Sequence, residues 1–485
     1  MTDTVVLWFR QDLRIHDLPA LHAASKDGRQ ILPIYILDED APGDWKIGGA
    51  SRWWLHHSLT ALATDIESLG GKLIFRRGNS LSILRELCEA NNAEAIYCSR
   101  RYEPWAAKEE NTLHESFKND EITFKRFPGA LLHEPGTVMT QGGGPFKVFT
   151  PFWRACRKNE TPRPIEKTAA NWSDCSASDV LDDWELLPRN PDWAAQWSEY
   201  WKPGETGARE RLHAFLDDTV SRYADERDLP AVDATSRMSA HLHHGEISPR
   251  QIWAMCEQKR LELPHSDTAI NKFQAELGWR EFSYHLLHFF PHIPESPFKE
   301  NFAQFPWQAN ETYLQAWQQG QTGYPIVDAG MRELWATGIM HNRVRMVVAS
   351  FLCKHLLQHW RSGEDWFWDT LVDADLASNG CSWQWVAGSG ADAAPYFRIF
   401  NPVTQGEKFD KQGEYVRRWV PEISDLPNKY LHKPWEAPDD ILEQAGIVLG
   451  QQYPAPIVDH REARQAALDA YEHIRLSSAT TAQAN

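Results

Sequence analysis

The chain has 485 residues, enough for two or three domains of roughly 150 residues each. Hydrophobic residues make up 42% and charged residues 24%, values that exclude a disordered or fibrous chain. The net charge of −17 argues against a generally adhesive nucleic-acid binder, although potentials screened over about 8 Å still permit a local basic patch.

The first residues, MTDTVVLWFRQDLR, read as a buried strand followed by charges, not as a secretory signal. No apolar run approaches the ~20 residues of a membrane span, so no membrane partner is expected. Seven cysteines, Cys88, Cys98, Cys156, Cys175, Cys256, Cys353 and Cys381, form no CxxC pair and are odd in number. A disulfide framework and a structural zinc site are not expected, and a reducing cytoplasm is the natural compartment.

Over the first ~130 residues, apolar runs alternate with helical patterns. VVLWF (5–9) and ILPIYIL (31–37) read as buried strands, with KLIFRR (72–77), AIYCSR (95–100) and ITFKRF (122–127) as further candidates. Between them, residues 51–70 are apolar at Leu55, Leu59, Leu62 and Ile66, a helical spacing that ends at Gly70-Gly71. Such alternation predicts a parallel sheet with helices on both faces, a Rossmann-like α/β domain. Neither a GxGxxG fingerprint nor a phosphate-cradling GxxxxGK is present.

From about 133 to 205 the pattern breaks. GGGPF, the prolines at Pro162 and Pro164 and the polar NWSDCSASD stretch read as a long linker. Beyond it helices dominate, and VRMVVASFLCKHLLQHW (344–360) reads as one face of a buried helix. The expected organisation is an α/β domain over 1–132, a linker over 133–205, an all-α domain over 206–475 and a polar tail over 476–485.

Four clusters carry candidate chemistry. On the helical stretch 269–290, Glu276, Trp279, Arg280 and Ser283 share a face, as a pocket lining or as a solvated ion pair beside a packed indole. In MHNRVRM (340–346), Asn342, Arg345 and Met346 share a face and Arg343 lies one turn before Met346; the two arginines suit phosphates, carboxylates or simple capping. Asp373 and Asp375 precede an expected Asn379-Gly380 turn, with Trp383 and Trp385 beyond it. They serve as acid–base groups, as acceptors for a buried cofactor, or as turn caps. Thr235, Ser236 and Ser239 place hydroxyls at an expected helix start, for a phosphate or an ordinary N-cap. His241, His243, His244, His285, His288 and His292 have no HExxH form and no completing ligands, so no metal is expected.

These clusters stand in one order behind WFRQDLRIHD (8–17). The further stretches are RYADERDLPAVDATSRMSAHLHHGEISPRQ (222–251), GWREF (278–282), TGYPIVDAGMREL (322–334), MHNRVRM (340–346), DADLASNGCSWQW (373–385) and YFRIFNPVTQGEKFD (396–410). Together they resemble the photolyase/cryptochrome family over nearly the whole chain. GGASRWWLHHSL (48–59) and GGPFKVFTPFWRA (143–155) look like the class III branch of the dimer photolyases, a sister group of plant cryptochromes.

The resemblance implies an all-α C-terminal domain holding FAD in a U-shaped conformation. Tyr223, Thr235, Ser236, Arg237 and Ser239 would contact FAD or its phosphates, Arg280 and Arg345 would lie near it, and Arg345 would pair with Asp373. Asp373 and Asp375 would accept hydrogen bonds from the isoalloxazine and sugar side, and Asn379 would face the central-ring nitrogen, where plant cryptochromes carry an acid. The implied substrate is UV-damaged DNA containing cyclobutane pyrimidine dimers. Glu276, Trp279, Asn342, Met346 and Trp385 would line the lesion pocket, while Arg227, Arg343, Arg398 and Lys408 would hold flanking phosphates, a basic rim on an acidic protein. Glu276 and Asn379 would be the catalytic side chains, and Trp307, Trp360 and Trp383 match the family's electron-carrying tryptophans.

An antenna chromophore is also implied, with methenyltetrahydrofolate favoured and a deazaflavin as the alternative. No obligate protein partner is implied. The competing reading is a cryptochrome, a blue-light receptor without repair. Retained Glu276, Trp279, Met346 and Asn379 favour repair, and Asn342, in place of one of two paired histidines, separates the chain from the six-four enzymes.

Overall fold

The structure, a computed structural model, describes residues 4–26, 28–166, 168–173, 178–393 and 397–476, and the backbone of 477–484. Cys175, part of the NWSDCSASD stretch, and Tyr396 of the motif at 396–410 lie outside the described residues.

A parallel sheet forms the N-terminal half. Its strands are β1 (Thr4–Phe9), β2 (Gln30–Leu37), β3 (Ile74–Arg77), β4 (Ala93–Ser99), β5 (Thr123–Phe127) and the short β6 (Asn171–Trp172). Their order is β3-β2-β1-β4-β5, with β6 also paired to β2. β1 is buried throughout because both faces are covered: Val5, Leu7 and Phe9 enter one core, and Val6 and Trp8 the other. β2 divides the same way, with Ile31 and Leu37 on the first face and Leu32, Ile34 and Ile36 on the second. The helix Gly49–Ser68 supplies Leu55, Leu59, Leu62 and Ile66 to the first core, as their spacing predicts. The strand order reverses between β1 and β4, the strands staying parallel, and this switch point is where parallel sheets of this kind present ligand sites.

Beyond residue 205 the described elements are helical. The chain divides into two compact units. The first contains Met1–Ala224, Thr235–Pro291 and Val372–Ala377, and the second contains Asp225–Ala234, His292–Leu371 and Ser378–Asn485. Some helices of the C-terminal region therefore pack with the sheet. One contact explains why: Gly245 has φ +69, and a Cβ there would stand 2.1 Å from the Gln11 carbonyl oxygen. Only glycine lets this turn lie against the loop after β1, where Leu13 N–H donates to the His244 carbonyl at 3.2 Å and Arg14 Nη1 to the Gly245 carbonyl at 2.9 Å.

Four local expectations change. The stretch 133–205 holds a helix, Phe149–Cys156, as well as β6, so it is not merely connecting chain. The apolar run 344–360 is helical only to Lys354, and its last residue, Trp360, opens the next helix, Trp360–Thr370. Leu357, with φ +50, lies in the connection between them, and the His359 ring caps the second by accepting from Arg361 N–H at 3.1 Å. Asn379 and Gly380 lie inside the helix Leu376–Ala387, not in a turn. There the Asn379 amide donates to the Glu364 carbonyl at 3.1 Å, and a Cβ on Gly380 would sit 3.1 Å from Glu364 Oε1, so the pair serves close packing on a neighbouring helix. The segment 476–485 is no loose tail, because the helix His460–Ala484 runs through most of it.

Candidate functional site

In the first unit, Asp375 is the best-defined ionic group. Tyr284 donates its hydroxyl to Asp375 Oδ2, and His243 Nδ1 faces the same oxygen at 3.7 Å. Burial opposes the charge, yet His243, Arg280 and Tyr284 hold the carboxyl well below the ordinary aspartate range. Tyr284 is pushed the other way by burial and the Asp375 charge, so its phenol keeps its proton and stays a donor. Arg280 lies over the Tyr284 ring at 4.8 Å and donates to the Ala130 carbonyl at 2.7 Å. A narrow cavity is lined by Gln11, Ser99, Tyr102, His243, Arg280 and Tyr284, joining the Asp375 surroundings to the C-terminal edge of the sheet. Asp373 is buried beside Asp375 in the segment Val372–Ala377.

The hydroxyl cluster also belongs to this unit. Arg211 donates from Nη2 to the Thr235 carbonyl at 2.8 Å and from Nε to the Ser236 carbonyl at 3.1 Å. Arg237 adopts φ +53, an uncommon backbone for a residue with a Cβ. The simple capping reading fails here: Ser239 starts the short helix, and Met238 at the cap has no side-chain bond. Tyr223 is buried against Phe215 and Phe273 at 5.5 and 5.7 Å.

The helix Asp267–Phe289 presents Trp279, an indole left 38% exposed and stacked on Phe149 at 3.7 Å with an interplanar angle of 9°. Gly278 makes room for this arrangement, because a Cβ there would stand 2.5 Å from the Trp153 ring. Glu276, half-buried, lies three residues before Trp279 on the same face. Arg280, the next residue, turns inward to Tyr284, so the predicted face is shared between an open rim and the Asp375 network.

In the second unit, the helix Asn342–Lys354 starts with Asn342 exposed. Arg343 Nη2 meets Asp228 Oδ2 at 2.9 Å, its Nη1 reaches the Met346 sulfur at 3.8 Å, and its guanidinium lies over Phe409 at 4.5 Å. Arg227 Nε stands 4.0 Å from the other Asp228 oxygen, and Lys408 Nζ is 4.9 Å from the same Phe409 ring. Arg345 Nε donates to the Met340 carbonyl at 2.7 Å. Trp385 donates its indole N–H to the Asp392 carbonyl at 3.1 Å, and Arg398 approaches its ring at 6.0 Å. Asn379 is buried beside the helix Trp360–Thr370.

Trp360 and Trp383 are buried and Trp307 is half-buried. The His359 imidazole bridges Trp307 and Trp360, with centroids 5.3 and 5.4 Å away. Trp383 meets Trp317 edge-on at 6.2 Å, a neighbour the sequence reading did not pick out. Tyr284, Asp228 and Phe409 were also missed. Tyr284 lies four residues after Arg280, a spacing that marks a shared helix face, whereas only the fold brings Asp228 and Phe409 to Arg343.

Residues 5–169 match the family described as DNA photolyase, and residues 273–473 match the FAD binding domain of DNA photolyase. The chain is 49% identical over 480 residues to a deoxyribodipyrimidine photo-lyase of Agrobacterium fabrum, covering 98% of each chain. It is 37% identical to cryptochrome-1 of Arabidopsis thaliana, over 95% of this chain and 69% of that one. The crystal structure of a bacterial class III photolyase from Agrobacterium tumefaciens superposes with a TM-score of 0.94 at 49% identity, again covering 98% of each chain.

Proposed function

Because the chain belongs to the photolyase/cryptochrome family, we propose that it is a deoxyribodipyrimidine photo-lyase, repairing cyclobutane pyrimidine dimers in DNA with light. The residues fit FAD on their own chemistry. Asp375 is a buried carboxylate kept ionised, an acceptor suited to an imide N–H or a ribityl hydroxyl. Tyr223, Thr235, Ser236, Arg237, Ser239, Arg280 and Asp373 are the other cofactor residues of the first unit, and Arg345 and Asn379 are those of the second. When bound and fully reduced, FAD supplies the excited electron that splits the dimer and recovers it afterwards.

The protein's own residues orient the lesion and answer its charge. Trp279 offers an indole face to the apolar cyclobutane side, and Glu276 offers a carboxyl to a pyrimidine carbonyl as negative charge develops there. Trp385, Asn342 and Met346 complete the lesion contacts, and Arg227, Arg343, Arg398 and Lys408 hold phosphates. Lesions unstack more readily than intact pairs, so extruding the dimer from the duplex costs less than flipping normal bases. Trp307, Trp360 and Trp383 carry electrons from the surface. The antenna is methenyltetrahydrofolate, as the class III likeness favours, with a deazaflavin as the alternative, and the protein acts in the cytoplasm. Among the described residues no helix is long and apolar enough to cross a membrane. An α/β antenna domain over 1–132, a linker over 133–205 and a catalytic domain over 206–475 complete the reading.

The exposed Trp279 indole beside Glu276 carries the case for repair, since a lesion needs an open apolar face next to a carboxyl. Illumination of the flavin-loaded, reduced protein with a thymine-dimer oligonucleotide tests it. Light-dependent loss of the dimer is expected. Bound flavin without repair would instead support the cryptochrome reading.

A further inference from the structure

The second unit gathers three cations around one carboxylate and one ring. Asp228 spans Arg343 at 2.9 Å and Arg227 at 4.0 Å with its two oxygens. Phe409 lies under Arg343 at 4.5 Å and beside Lys408 at 4.9 Å. The Arg343 backbone is fixed as well, because its N–H donates to the His341 ring at 3.2 Å. Three cations gathered this closely repel one another. A carboxylate and the negative face of an aromatic ring each reduce that repulsion without filling the cluster with a full complement of anions.

We infer that Asp228 and Phe409 are positioning residues that assemble Arg227, Arg343 and Lys408 into one seat for a single phosphodiester of the DNA strand. The inference rests on the proposed DNA substrate and adds how its anion is held. Phe409 gives the guanidinium and the ammonium one shared platform, so neither long side chain has to be ordered from solution when the phosphate arrives. Asp228 fixes the planes of two guanidiniums by ion pairing and keeps the empty seat from being overcharged. A phosphate then meets donors already aimed.

The test is salt-dependent binding of a fluorescent thymine-dimer oligonucleotide to the flavin-loaded protein in the dark. Phe409→Leu keeps an apolar side chain and removes the ring face. Affinity at moderate salt should fall about fivefold to tenfold, and the slope of log K against log salt should shrink by about 1, the signature of one lost phosphate contact. The flavin spectrum and the repair rate at saturating DNA should stay unchanged. In a Lys408→Gln, Arg343→Gln background, Phe409→Leu should cost nothing further, since the ring acts through those cations. Asp228→Asn should weaken the preference for damaged over intact duplex while raising affinity for both. An unchanged salt slope in Phe409→Leu, or a full additional loss in the double background, would overturn the proposal. Loss of flavin together with DNA affinity would assign Phe409 to folding and overturn it equally. A wild-type protein that binds DNA with the expected slope but does not repair it would defeat the repair reading and leave the phosphate seat standing.

Discussion

The two units hold their charges in different ways. In the first, buried arginines meet carboxylates directly: Arg10 and Glu110 at 2.6 Å, Arg250 and Asp17 at 2.9 Å. In the second, the cations assigned to DNA are less deeply buried: Arg343 lies over Phe409 while its ion pair with Asp228 is partly exposed, and Arg398, half-buried, lies near Trp385. A carboxylate-paired arginine has its charge and its fork committed, so it fixes the backbone and side chains around it. A cation at a partly exposed position can still meet a visiting anion. The first pattern suits a permanently bound cofactor, and the second a polyanion that arrives and leaves.

The contrast is broken or sharpened most strongly at Asp375. Asp375→Asn removes the anion that Tyr284, His243 and Arg280 are arranged around. A charge-assisted hydrogen bond contributes about 1.5–3 kcal/mol, so flavin retention should fall roughly tenfold to a hundredfold. Flavin absorbance after gel filtration measures it. Arg398→Gln, by contrast, should retain flavin and lose several-fold in DNA affinity. Equal flavin loss in both variants would erase the distinction between the two units.

Next in size is Glu276→Ala. The photorepair yield should drop several-fold while the flavin spectrum is retained, as expected of a group that answers charge on the lesion. Equal loss of flavin would make Glu276 structural. Trp307→Phe should act on neither binding event. Light-driven reduction of oxidised flavin should slow markedly, and repair by chemically reduced protein should continue at the parent rate. Transient absorption and a dimer assay separate the two outcomes.

The central strands β1 and β2 were legible because both their faces are buried, so each is a short apolar run whose residues need no partner beyond another layer. Arg280 was legible for a different reason: its helical spacing from Glu276 and Trp279 marked it, although it turns inward to Tyr284 while Trp279 stays on an open rim. Less could be read where tertiary packing overrules local preference. Asn379-Gly380 is a strong turn signal, yet the close approach of Glu364 uses that glycine inside a helix. The apolar run 344–360 gives no sign of its break, because a left-handed Leu357 is set by packing and not by its own preference. Asp228, Phe409 and Arg343 are distant in sequence, and no spacing rule links them.

The smallest effect concerns two buried groups that burial moves to about neutral pH from opposite sides. Glu281 lies in the first unit and accepts from the Leu132 and His133 N–H groups at 3.0 Å, and burial pushes its carboxyl up from 4.5 to about 7. Lys354 lies in the second unit and donates to the Arg398 carbonyl at 2.5 Å, and burial pulls its ammonium down from 10.5 to about 7. Between pH 4.5 and 7 folded Glu281 keeps a proton that the unfolded chain releases, so its contribution to stability is full below 4.5 and lost as pH rises. Between pH 7 and 10.5 the unfolded chain holds a proton on Lys354 that the folded protein does not, so stability gains as pH rises. Glu281→Gln should flatten the acid-side decline, and Lys354→Met should flatten the alkaline-side rise. Urea unfolding at a series of pH values reads both slopes. If Glu281→Gln altered the alkaline limb, or Lys354→Met the acid limb, the two groups would not be titrating independently, and the separate handling of charge by the two units would fail at its most buried positions.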